Sequence, residues 1–148
     1  MSRSDQAALG VLALLEAALA DLPGSSAGTR LWDRPALAAL LMPGGAIGAV
    51  AADLLRGARP VRALLFNKTP ETNWALGWHQ DRVIAVRERH EVTGYGPWTV
   101  KAGVPHVQPP FALLEAMITL RVHLNPVGED NAPLLVALGS HQLGRVTD

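Results

Sequence analysis

His79 and Asp81 stand two residues apart in the stretch Trp74-Ala-Leu-Gly-Trp-His-Gln-Asp81, just before the run Arg82-Val-Ile-Ala-Val86. The run has the composition of a strand. On an extended chain successive side chains point to opposite faces, so positions 79 and 81 share one face while Gln80 turns to the other. An imidazole and a carboxylate then project side by side. That is how two of the three ligands of a 2-His-1-carboxylate facial triad are presented, an arrangement that leaves positions open on Fe(II) for a co-substrate and dioxygen. A His-x-Asp pair alone occurs by chance on many strands, so the neighbouring residues must carry the reading.

The chain offers few other groups for such a centre. Of the five histidines, His141 in Gly139-Ser-His is the one candidate to complete a triad; its simpler reading is a histidine hydrogen-bonded at a strand end. His123 falls near the end of an apolar run and reads as a satisfied core residue. His90 and His106 lie in a polar region and are expected at the surface. Arg121 is of a type that grips carboxylates bidentately, although a structural or snorkelling arginine at a strand end is the simpler expectation. Lys68 reads as a solvated turn lysine. Trp74, Trp78 and Trp98 suit either the lining of a substrate cavity or plain core packing.

The surrounding chain is 148 residues long, with thirteen basic and thirteen acidic side chains and no cysteine. This balance lacks the electrostatic footprint of a nucleic-acid binder and any polybasic patch for a membrane. Disulfides and thiolate metal sites are excluded. Apolar residues make up 49% of the chain, which argues against disorder. No apolar run is read as reaching the roughly 18 residues of a membrane span. Residues 7–20 are rich in Ala and Leu, but Asp5, Glu16 and the recurrence of Leu9, Leu12, Leu15 and Leu19 fit an amphipathic helix capped near Ser4 better than a signal peptide. A cytoplasmic location is expected.

The elements that must position the pair change character along the chain. After the first helix, residues 23–28 form a turn. A second helix starts with Asp33 as cap and Pro35 in its first turn, and stops near Met42; a third covers residues 46–55 and ends at Gly57. From Arg59 the texture turns to short strands: 61–66, then the His79 strand, then 113–124 and 134–138. A long polar loop at 88–107 and a turn at 125–131 separate them. The expected fold class is α+β. Helices in residues 1–58 cover an antiparallel sandwich or barrel in residues 59–148, the whole forming one domain.

Six segments in order, Phe66-Asn-Lys-Thr-Pro70, Trp78-His-Gln-Asp81, Pro109-Pro-Phe111, Arg121-Val-His-Leu124, Asn131-Ala-Pro-Leu134 and Gly139-Ser-His-Gln-Leu-Gly144, resemble the phytanoyl-CoA dioxygenase family. The resemblance spans about residues 61–145. It implies an Fe(II)- and 2-oxoglutarate-dependent dioxygenase on a double-stranded β-helix, a cupin-like jelly roll. It further implies that His79 and Asp81 ligate the iron, and that Gln80 and Leu64 line the 2-oxoglutarate pocket. Such an enzyme consumes dioxygen, releases succinate and carbon dioxide, and hydroxylates a small organic or lipid-like substrate. The family's third ligand, a histidine in a His-x-Ser motif, and the arginine that pairs with 2-oxoglutarate lie beyond the Gly-Ser-His segment and have no match before Asp148. An incomplete jelly roll is therefore expected, truncated at its C-terminal strands, with open strand edges available for self-association. A catalytically inactive remnant and a binding module of the same fold are the alternatives.

Overall fold

The computed structural model describes residues 3–24, 27–31 and 34–146, with side-chain surroundings from residue 8 onward. The expected Asp33 cap lies outside the described residues. The chain divides into two compact units, Met1–Ala75 with Thr119–Pro133, and Leu76–Ile118 with Leu134–Asp148. The split expected from composition, 1–58 and 59–148, follows a different line.

The first unit holds three helices and a two-stranded sheet. Helix α1, Arg3–Leu19, begins before Ser4, so Ser4 lies within the helix rather than at its cap. Its buried stripe is Leu15 and Ala18, with Val11 packed beside them; Leu9 is 53% exposed. Leu12 and Leu19 are half-buried beside Leu15, so the expected leucine stripe holds except at Leu9. Helix α2, Pro35–Leu41, opens on a proline, whose fixed φ and missing N–H suit a first turn. Its Leu37 and Leu40 complete a core with Leu15 and Ala18, and Leu31, Leu41, Ile47, Ala63 and Leu124 pack against it.

Met42 ends α2 in an extended conformation with ψ 157°, as a residue preceding proline tends to. Helix α3, Ala46–Leu54, follows at once. The two helices approach closely: a Cβ on Gly48 would collide with the carbonyl of Met42, and one on Gly45 with that of Ala39. By length and composition the span Pro35–Leu54 reaches that of a membrane-crossing helix, which corrects the reading that no apolar run is so long. The break at Met42–Gly45 divides it into helices of 7 and 9 residues, each well below the roughly 20 needed to span a bilayer.

Strand β1, Gly28–Arg30, pairs antiparallel with β2, Leu64–Phe66, in the register Gly28↔Phe66, Thr29↔Leu65 and Arg30↔Leu64. Flanking bonds from Leu31 N to Ala63 O (3.0 Å) and from Asn67 N to Ala27 O (3.1 Å) extend the ladder. The expected strand at 61–66 is thus confined to its last half, and its partner begins where the turn expected at 23–28 ends, sharing only Gly28 with it.

The second unit is built on a three-stranded antiparallel sheet in the order β3-β5-β4. These strands are Ile84–Ala85 (β3), Trp98–Lys101 (β4) and Val104–Val107 (β5). β4 and β5 form a hairpin across Ala102 and Gly103, both at positive φ (49° and 76°), the geometry of a two-residue type I′ turn. The region 88–107, expected as a loop, therefore contains this sheet's longest strands. β3 is only two residues long. Pro105 in the facing strand has no N–H to offer, though its carbonyl accepts a bond from Val86 N (3.0 Å). Val107, 1% exposed, anchors the sheet's interior.

Two expected strands are not strands. Residues 111–115 form helix α4, Phe111–Glu115, where Pro110 precedes a run of good helix formers, Ala-Leu-Leu-Glu. Residues 117–123 after it have no regular structure. The run 134–138 also lies outside any strand: β propensity yields a strand only where an edge receives it. Mixed α+β architecture stands, with two small antiparallel sheets among the described residues.

Candidate metal centre at His79 and Asp81

His79 and Asp81 lie in an irregular segment ahead of β3, not on a strand. Both are exposed. The His79 ring is oriented locally: its Nδ1 lies 2.8 Å from the carbonyl oxygen of Gly77. A carbonyl can only accept, so Nδ1 carries the proton and the lone pair sits on Nε2. This is the second-sphere bond commonly found behind a metal-binding histidine, which fixes both tautomer and ring orientation. The Asp81 carboxylate makes no hydrogen bond or ion pair with any described residue. Two donors of the right chemistry are thus available to a cation.

Gln80 between them is fully employed. Its Nε2 donates to the Gly144 carbonyl at 2.8 Å, and its Oε1 accepts from Val146 N at 3.0 Å. The primary amide thereby acts like one more peptide unit, pairing with the backbone of residues 144–146. Arg82 adds a bond from Nη2 to the Val146 carbonyl at 2.6 Å. The backbone around the candidate pair is therefore anchored on the side of Gln80, which leaves His79 and Asp81 outside the clamp. Sequence reasoning missed this role, and no local signal marks it, since the partners are 64 and 66 residues away.

Leu64, the other residue expected at a 2-oxoglutarate pocket, is half-buried in β2 opposite Arg30. It belongs to the first unit and Gln80 to the second.

The third ligand does not emerge. Among the described residues no group of three or more His, Cys, Asp or Glu side chains is placed to hold a metal ion. His141 sits exposed in a single 3-10 turn, Ser140–Gln142. The donors present fit two of the three positions of a facial triad and do not by themselves complete one.

Most of the other histidines and cations sit in surroundings that their composition does not suggest. His123 is exposed rather than in the core, because its segment forms no strand to bury it. His106, expected at the surface, is 1% exposed; it lies on β5, the central strand of its sheet. Its Nδ1 donates to Val104 O at 2.9 Å and its Nε2 is buried without a partner. His90 is exposed and pairs with Glu88 at 2.9 Å. Arg121 lies over the Phe66 ring at 5.8 Å.

Lys68 is no solvated turn lysine. It is half-buried, and its Nζ donates to the carbonyls of Trp74 (2.9 Å), Asn131 (3.3 Å) and Ala132 (2.5 Å), with the Trp74 ring 4.8 Å away. Trp74 packs against Phe66 at 5.8 Å between centroids, Trp78 is 72% exposed, and Trp98 lines a cavity in the second unit. In comparisons with protein-family models, curated proteins and solved structures, nothing matches the chain.

Proposed function

We propose that this chain carries part of the iron centre of an Fe(II)- and 2-oxoglutarate-dependent dioxygenase similar to the phytanoyl-CoA dioxygenase family, with His79 and Asp81 as two of its protein ligands. The ordered motifs from Phe66 to Gly144 are the ground for the family likeness. The observation that carries the site is the Nδ1–H bond from His79 to Gly77 O, which leaves Nε2 as the free donor, with the unpaired Asp81 carboxylate two residues on. In this reading Gln80 borders the 2-oxoglutarate pocket, and the fold is a jelly roll.

When bound, iron with 2-oxoglutarate supplies the oxidising chemistry, and dioxygen and a small organic or lipid-like molecule are the other reactants. What the chain's residues contribute is binding and orientation. Gly77 sets the His79 ring, and the Gln80 clamp on residues 144–146 holds the backbone between the two donors. Among the described residues no third donor is grouped with these two.

Anaerobic addition of Fe(II) and 2-oxoglutarate, followed by visible absorption, tests this. A charge-transfer band that needs both additions and disappears in His79→Ala supports the reading. A band that persists in His79→Ala and Asp81→Ala contradicts it. A second reading, a non-catalytic module of the same fold, is favoured by the absence of a three-donor cluster among the described residues. No iron binding by the full chain at millimolar metal would select it.

A further inference from the structure

The second unit contains an open cavity of about 300 Å³ lined by Val86, Val92, Tyr95, Trp98 and Val107 and by the exposed Arg87, Glu88 and His90. None of these residues is an iron or 2-oxoglutarate candidate, while Trp98 is one of the aromatic residues suited to line a substrate cavity. The volume is at the small end of the range for ligand pockets.

The lining divides into an apolar part and a charged part. Val107 and Trp98 face each other across the β4–β5 ladder, which puts their side chains on one face of the sheet, and Val86, Val92 and Tyr95 enlarge the apolar surface. The indole of Trp98 is held by the guanidinium of Arg89, which sits 5.4 Å from the ring centroid; Arg89 is in turn paired with Glu91 at 2.6 Å. The Glu88 carboxylate is engaged by His90 Nε2 at 2.9 Å.

Three polar groups of the lining are left over. The Arg87 guanidinium and the Tyr95 hydroxyl have no hydrogen bond or ion pair with any described residue, and the Trp98 indole N–H is buried without a partner. An unpaired guanidinium in the lining of an apolar, aromatic-walled cavity is complementary to a carboxylate on an apolar body, because its planar fork binds both carboxylate oxygens. The Tyr95 phenol of the same lining is a further donor suited to such a group.

We propose that this cavity binds a small carboxylic acid with a flat or branched apolar body, its carboxylate on Arg87 and Tyr95 and its body against Trp98, Val92 and Val107. The three valines and the indole select for shape, and the single unpaired cation selects for one negative charge.

Calorimetric titration of the full chain with 2-naphthoate, and with the neutral 2-naphthylmethanol as control, tests the proposal. Arg87 is exposed, so Arg87→Gln leaves packing intact. It should weaken naphthoate about tenfold or more, the loss expected when a charged hydrogen-bonding partner is removed, and leave the neutral alcohol unchanged. Val92→Trp, which fills the cavity from an exposed position, should weaken both. The proposal is overturned if naphthoate fails to bind at millimolar concentration, if Arg87→Gln leaves its affinity unchanged, or if that substitution weakens acid and alcohol equally. A shift of naphthoate affinity in His79→Ala would also contradict it, since it would place the acid at the other site.

Discussion

The Lys68 ammonium ties the backbone at Trp74 to that at Asn131 and Ala132, which lie 63 and 64 residues beyond Lys68 itself. Three carbonyls that would otherwise lose their donor depend on one side chain. Hydrogen bonds from a charged donor contribute more than neutral ones, and leaving buried acceptors unpaired costs about 1–3 kcal/mol. Lys68→Met, which keeps the stem and removes the charge, is expected to lower stability by about that amount, seen as a reduced urea midpoint with unchanged slope. An unchanged midpoint would show that water replaces the ammonium freely.

The Asp21–Arg34 pair makes a second prediction at this scale. Arg34 reaches both Asp21 oxygens at 2.8 Å and the Ala18 carbonyl at 2.7 Å near the end of α1. Its hydrogen bonds hold the Asp21 carboxyl below its ordinary range. A carboxylate depressed by folding contributes stability above its unfolded pKa of about 3.9 and loses it as pH falls through the lowered value. Asp21→Asn should therefore be less stable than the parent at pH 7, with the difference closing as pH is lowered from about 5 to 2. The pair is exposed, so the effect is small and shrinks with added salt.

Among the elements, the β4–β5 hairpin is the one whose turn chemistry can be improved. Ala102 occupies a left-handed position (φ 49°), which costs a residue with a Cβ roughly 1 kcal/mol. Asn-Gly is the favoured pair for this turn. Ala102→Asn is expected to raise stability by about 0.5–1 kcal/mol in urea denaturation; destabilisation would mean that the turn is of another type. Ala-Gly is a weak turn signal, and Pro97, Pro105 and Gly103 make the region read as loop. The strands at 113–124 and 134–138 fail for the opposite reason, apolar composition without an edge to pair with. Legible in the sequence is what local chemistry decides: Pro35 opening a helix, Pro43 closing it, and three helices within residues 1–58. Illegible are the features made by distant partners, such as the Gln80 clamp, the burial of His106 on a central strand, and the pairing of Gly28 with Phe66. At the candidate centre, the two donors can be named from the sequence, whereas the Gly77 carbonyl that sets the His79 tautomer cannot.

For the molecule as a whole, the run 134–138 presents Leu135 (65% exposed), Val136 (67%) and Leu138 (96%) to solvent. A contiguous apolar segment of high β propensity with no strand partner favours association with another chain. The protein is expected to form concentration-dependent oligomers by light scattering, and Val136→Lys with Leu138→Lys to shift it toward monomer. A monomer at all concentrations before substitution would contradict this. The central claim, however, concerns metal, and calorimetric titration with Fe(II) under argon tests it most directly. Weak binding at one site per chain is predicted, lost in both His79→Ala and Asp81→Ala and retained in His90→Ala. Binding that survives loss of His79 or Asp81, or that disappears with His90, would contradict it.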